Sequence, residues 1–102
     1  MNMDYTSQSQ TKSITKEAGK EYIKYIKSKS CLVCANQLVD ADHLLTIGMG
    51  GNRRKPTWKD YTCIPLCREH HTERHVNWKK FEEKYRINTW QEAFKLLLEY
   101  VV

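Results

Sequence analysis

The sequence predicts a small α+β domain: a two-stranded β-hairpin stapled by a metal ion, with helices at either end. Three observations predict it. Cys31-x-x-Cys34 and Cys67-x-x-His70 are two half-sites with the same two-residue gap, the spacing of a tetrahedral zinc site. Two short strand-like stretches, one around Asp42-His43-Leu44-Leu45 and one from Tyr61 to Leu66, flank a glycine-rich segment. Helical periodicity appears before the first half-site and after the second. A lone hairpin is marginal in water, so a chain of 102 residues built this way gains from a staple.

The elements follow in order. Residues 1–13 are polar and aperiodic and read as a flexible tail; residues 14–102 read as one domain. From Thr15 to Lys27 an apolar stripe of Ala18, Tyr22, Ile26 and Tyr25 predicts a helix, with Lys16, Lys20, Lys24 and Lys27 on another face. The Cys31–Cys34 knuckle comes next, then the first strand. Gly48-Met49-Gly50-Gly51-Asn52 disfavours helix and strand alike and predicts a loop, extended by Arg53-Arg54-Lys55-Pro56. The second strand contains Pro65, which lacks an N–H and belongs at a strand end or an edge. A helix starts at Cys67 and runs to about Val76; Asn77 to Tyr85 continues or restarts it. In the last helix Thr89 and Glu92 have capping-box spacing. Trp90, Phe94, Leu97, Leu98 and Val101 form its apolar face, which we assign to packing.

Composition narrows the function classes. Apolar residues make up 40% and charged residues 28%, which excludes wholesale disorder. No apolar run is long enough to span a membrane, and the first residues have no hydrophobic signal core. The expected location is therefore the cytoplasm, where cysteines serve as metal ligands or free thiols. A net charge of +5 favours a polyanionic partner.

The chemistry concentrates in four cysteines and four histidines. Cys31, Cys34, Cys67 and His70 make a closed set of four ligands for a structural zinc ion. Cys63 is left over as a buried thiol, or replaces His70 as the fourth ligand. His71 and His75, four apart on a predicted helix, project from one face. Asp42 and His43 lie across the hairpin and offer a carboxylate and another imidazole. Two imidazoles and a carboxylate suit one divalent ion with positions left open, and accept Mg²⁺ or Mn²⁺ first, Ni²⁺ or Zn²⁺ as well. A zinc-protease helix needs glutamate directly after its first histidine, and His71-Thr72-Glu73-Arg74-His75 does not have it.

The run Cys31-x-x-Cys34, Asp42-His43, Gly48-Met49-Gly50-Gly51, Asp60, Pro65-Leu66-Cys67-Arg68-Glu69-His70-His71 and His75 resembles the HNH endonuclease superfamily. It is similar to small phage and prophage nucleases linked to recombination, over about Cys31 to Tyr85. The resemblance implies a ββα-metal finger of treble-clef type and a phage origin, hence a host-cytoplasm location. It puts Asp42, His71 and His75 at the catalytic metal-ligand positions and His43 at the general-base position. Cleavage then leaves a 5′ phosphate and a 3′ hydroxyl. The family's middle asparagine, which pins the loop, falls near Thr62, with Asp60 able to share the task.

The expected partner is DNA, double- or single-stranded, bound through phosphate contacts with little sequence preference. Arg53, Arg54, Lys55 and Arg68 are the candidate contacts; Arg68 or Arg74 could clamp the transition-state charge, and Trp58 could stack on a base. The chain is expected to be a monomer or a homodimer. The competing reading is a non-catalytic zinc module that binds nucleic acid or protein during recombination or packaging.

Overall fold

A computed structural model describes residues 15–45 and 58–102. The tail expected at residues 1–13, the glycine-rich loop, and Arg53, Arg54 and Lys55 lie outside the described residues.

Helix α1 runs Lys16–Lys27, capped by Thr15, whose hydroxyl accepts from the Ala18 amide. Capping satisfies one of the amides that the first helical turn leaves open. Its inward face is Gly19, Tyr22 and Ile26. Strand β1 is Asp40–His43 and strand β2 is Cys63–Leu66, paired antiparallel with Asp42 opposite Ile64 and Ala41 opposite Pro65. β1 differs from expectation at both ends, starting two residues earlier, and β2 at its start. Leu44 and Leu45 have already left β1, and Tyr61 and Thr62 belong to a 3₁₀ turn, Trp58–Thr62. Pro65 fits because its backbone faces away from β1: its carbonyl accepts from the Leu32 amide in the knuckle.

Three helices follow. Helix α2 is Arg68–Val76, and α3 is Trp78–Tyr85. The helix restarts instead of continuing, because Asn77 is extended (φ −159°) and its side chain caps α3 at the Lys80 amide. Helix α4 is Thr89–Val101. Its cap is Asn88, which accepts from the Gln91 amide; the expected capping box at Thr89 is not formed, because the Thr89 amide and hydroxyl both donate to Glu82.

Two core clusters result. One joins Cys31, Ile64, Leu66, Cys67, Phe81 and Ala93 around the half-sites. The other joins Tyr22, Ile26 and Cys63. Beside it Tyr25, Tyr61 and Tyr100 pack their rings on Tyr22 or on one another, and the Tyr25 hydroxyl donates to the Leu96 carbonyl, tying α1 to α4. The packing role expected for one face of α4 needs correction. Ala93 is buried, with Leu96 and Leu97 half-buried, whereas Trp90, Phe94, Leu98 and Val101 are exposed. The helix is turned so that its smallest apolar residue meets the core. Among the described residues no helix is long and apolar enough to cross a membrane.

Candidate metal centres

The first centre is built by the knuckle and by the start of α2. The knuckle is closed by backbone bonds: the Cys31 amide donates to the Asn36 carbonyl and the Ala35 amide to the Cys31 carbonyl. Ala35 adopts a left-handed φ of 63°, which lets the chain turn back after Cys34. Cys67 stands directly before α2 and His70 on its first turn, so both half-sites face each other across β2. Cys34 Sγ lies 3.7 Å from Cys67 Sγ, Cys31 Sγ 3.8 Å from His70 Nδ1, and Cys67 Sγ 3.1 Å from His70 Nδ1. Four donors around a tetrahedral ion with Zn–S bonds near 2.3 Å would stand about 3.5–3.8 Å apart. The four donors lie within 4.8 Å of one another and could hold a metal ion.

His70, not Cys63, completes that set. Cys63 is fully buried against Tyr22 and Ile26, and burial together with the charges of Asp60 and Asp42 pushes its thiol up to about 12. Cys31 is different. Burial raises its thiol, but backbone amides at Cys67, Cys34 and Val33 more than offset this and lower it to about 6. A thiol held so low is already a thiolate at neutral pH, the form a metal binds.

The second centre lies where β1 crosses α2. Residues two apart on a strand share a face, so Asp40 and Asp42 both turn toward α2. His71 Nε2 and His75 Nε2 are 3.1 Å apart, and Asp42 Oδ1 stands 3.3 Å from the first and 3.0 Å from the second. Three ligands at right angles on an ion with bonds near 2.1 Å would be about 3.0 Å apart. The expected triad therefore converges and could hold a metal ion. The three donors occupy one side of such an ion and leave the rest of its sphere to water or substrate.

Two partners of the triad were not legible as such. Asp40 Oδ2 accepts from His71 Nδ1 at 2.8 Å, which fixes the proton on Nδ1 and turns the Nε2 lone pair toward Asp42. The Asp40-x-Asp42 alternation is the signal that could have revealed it. Arg74 is buried and grips Asp42 with two bonds, Nε to Oδ2 at 2.5 Å and Nη2 to Oδ1 at 3.0 Å. Its Nη2 also donates to the His43 carbonyl. Arg74 is thus committed to the carboxylate and not free to clamp a substrate phosphate. Arg68 is exposed at the rim, 3.2 Å from Asp40.

The chain matches the family described as "Protein of unknown function (DUF968)" over residues 8–100. It belongs to the DUF968 family. An uncharacterized protein of Escherichia coli strain K12, YdfU, is 37% identical over 65 residues, which is 64% of this chain. That stretch spans only 18% of the relative's length. No solved structure matches.

The remaining expected site residues of this DUF968 chain lie at the end of β1 and on the 3₁₀ turn. His43 ends β1, and its ring is held by the 3₁₀ turn, Nε2 2.9 Å from Asp60 Oδ1. Thr62 links described residues on either side of the glycine-rich segment: its hydroxyl donates to the Lys59 carbonyl and accepts from the Leu45 amide. Trp58 is half-exposed at that junction.

Proposed function

We propose that this protein is a divalent-metal-dependent DNA endonuclease of the HNH type. The observation that carries the reading is the convergence of Asp42 Oδ1, His71 Nε2 and His75 Nε2, with His43 next to Asp42 in sequence. In this reading Cys31, Cys34, Cys67 and His70 hold a structural Zn²⁺ that keeps α2 in register with the hairpin, and Asp42, His71 and His75 hold Mg²⁺ or Mn²⁺.

A phosphodiester repels hydroxide because it is already an anion. An ion held by Asp42, His71 and His75 would supply positive charge to offset that of the phosphate. His43 removes a proton from the attacking water. Asp60 accepts from Nε2, so the proton sits there and the Nδ1 lone pair is the basic one. Thr62 links residues on either side of the intervening segment, the part the resemblance gives to the middle asparagine. Arg68 contributes a phosphate contact, with Arg53, Arg54 and Lys55 as further candidates, and binding falls with salt.

One observation favours a second reading, a non-catalytic zinc-braced interaction module. Arg74 already engages both oxygens of Asp42. Supercoiled plasmid and single-stranded DNA incubated with Mg²⁺ or Mn²⁺ separate the two. The nuclease reading expects nicking by wild type and none by His43→Ala at unchanged zinc content. Equal cutting by both, or no cutting by either, sinks it.

A further inference from the structure

We infer that Asp60 is a positioning residue for His43, and that Gly19 of α1 leaves the room its carboxylate occupies. The inference rests on the nuclease reading and extends its machinery to a helix outside the strand–helix crossing.

Asp60 has two neighbours that define its position. One oxygen lies 2.9 Å from His43 Nε2. The other lies against α1: a Cβ built on Gly19 would stand 2.3 Å from Asp60 Oδ2 and 3.2 Å from its carboxyl carbon. A side chain at Gly19 would have to displace the carboxylate. Gly19 sits in the middle of a helix, where alanine is the better helix former. Local helix propensity therefore argues against glycine here, and space for the carboxylate is what requires it. Both residues of the pair are shielded, with His43 and Asp60 side chains 19% and 16% exposed. A carboxylate on one imidazole nitrogen fixes the proton there and leaves the other as the acceptor. Asp60 thus selects the Nδ1 lone pair of His43, and the missing side chain at Gly19 gives its carboxylate the room to do so.

The expected results are specific. Asp60→Asn offers an amide that can donate to Nε2 and thereby favours the wrong tautomer. It should lower kcat for plasmid nicking about 100-fold or more, with KM, Mn²⁺ binding and the thermal midpoint unchanged. Gly19→Ala should lower kcat at least tenfold through the displaced carboxylate, and should add nothing to Asp60→Asn. In a His43→Ala background Asp60→Asn should have no further effect. Long-range ¹H–¹⁵N spectra of the histidine rings give a readout apart from activity: the His43 proton belongs on Nε2 in wild type and shifts to Nδ1 in Asp60→Asn. If wild type cuts, His43→Ala does not, and Asp60→Asn cuts like wild type, this inference alone is overturned. A wild-type His43 protonated on Nδ1 overturns it too. If wild type cuts nothing, the nuclease reading falls and takes the inference with it.

Discussion

Replacing Arg74 with methionine separates the observed partnership of Asp42 with Arg74 from the metal-ligand role proposed for it. The Asp42 carboxylate is fully buried, and Arg74 holds both its oxygens, at 2.5 and 3.0 Å. Methionine keeps much of the apolar stem but removes the charge and the donors. Removing one partner of a buried pair costs roughly 3–5 kcal/mol, because the other charge is left uncompensated. The His43 carbonyl loses a donor as well, worth about 1 kcal/mol. Against a total stability of roughly 5–15 kcal/mol, this removes a third or more of the stability of the metal-poor protein. A divalent ion at the triad supplies the missing charge. Mn²⁺ should therefore bind Arg74→Met at least about tenfold more tightly than wild type, about 1.4 kcal/mol of extra stabilisation. Urea denaturation with and without Mn²⁺, at constant zinc, measures both terms. A variant within 1 kcal/mol of wild type without Mn²⁺, or one that Mn²⁺ stabilises less than wild type, refutes the reasoning.

Other substitutions test other parts of the molecule. Cys67→Ser should lose the zinc and the cooperative fold together, measured by metal content and circular dichroism, since a structural zinc site contributes about 10–16 kcal/mol. The Cys63 thiol is raised from 9.0 to about 12 in the fold, so above pH 9 the unfolded chain loses a proton that the native chain keeps. Stability should fall with rising pH between those values, and in Cys63→Ala the decline should be shallower by about 1.4 kcal/mol per pH unit. On α4, Phe94→Lys should change stability by no more than about 0.5 kcal/mol, while Ala93→Leu should cost about 1–3 kcal/mol by overpacking; equal effects would contradict the observed turn of that helix.

The legible part of this molecule was carried by spacing. Cys-x-x-Cys with Cys-x-x-His, and two histidines four apart, are local patterns that survive folding unchanged, because a turn or a helix places them regardless of what packs nearby. The half-site assignment of His70 over Cys63 needed coordinates, since both lie close to Cys67 in sequence and only the strand direction separates them. Asp40, Arg74 and Asp60 act through contacts 31, 32 and 17 residues away along the chain, and charge alone does not tell a buried partner from a solvated one. The face of α4 was misread for a related reason. Its hydrophobic stripe is real, but Tyr25, reaching the Leu96 carbonyl from α1, goes with a different side of that helix facing the core.

The most direct measurement is anomalous diffraction from crystals grown with zinc and soaked in Mn²⁺. A zinc peak among Cys31, Cys34, Cys67 and His70, and a manganese peak among Asp42, His71 and His75 with Arg74 still beside Asp42, is the expected result. Zinc at the first centre with no second peak, the Arg74 pair undisturbed at saturating Mn²⁺, would leave a braced fold without a catalytic ion and contradict the nuclease reading.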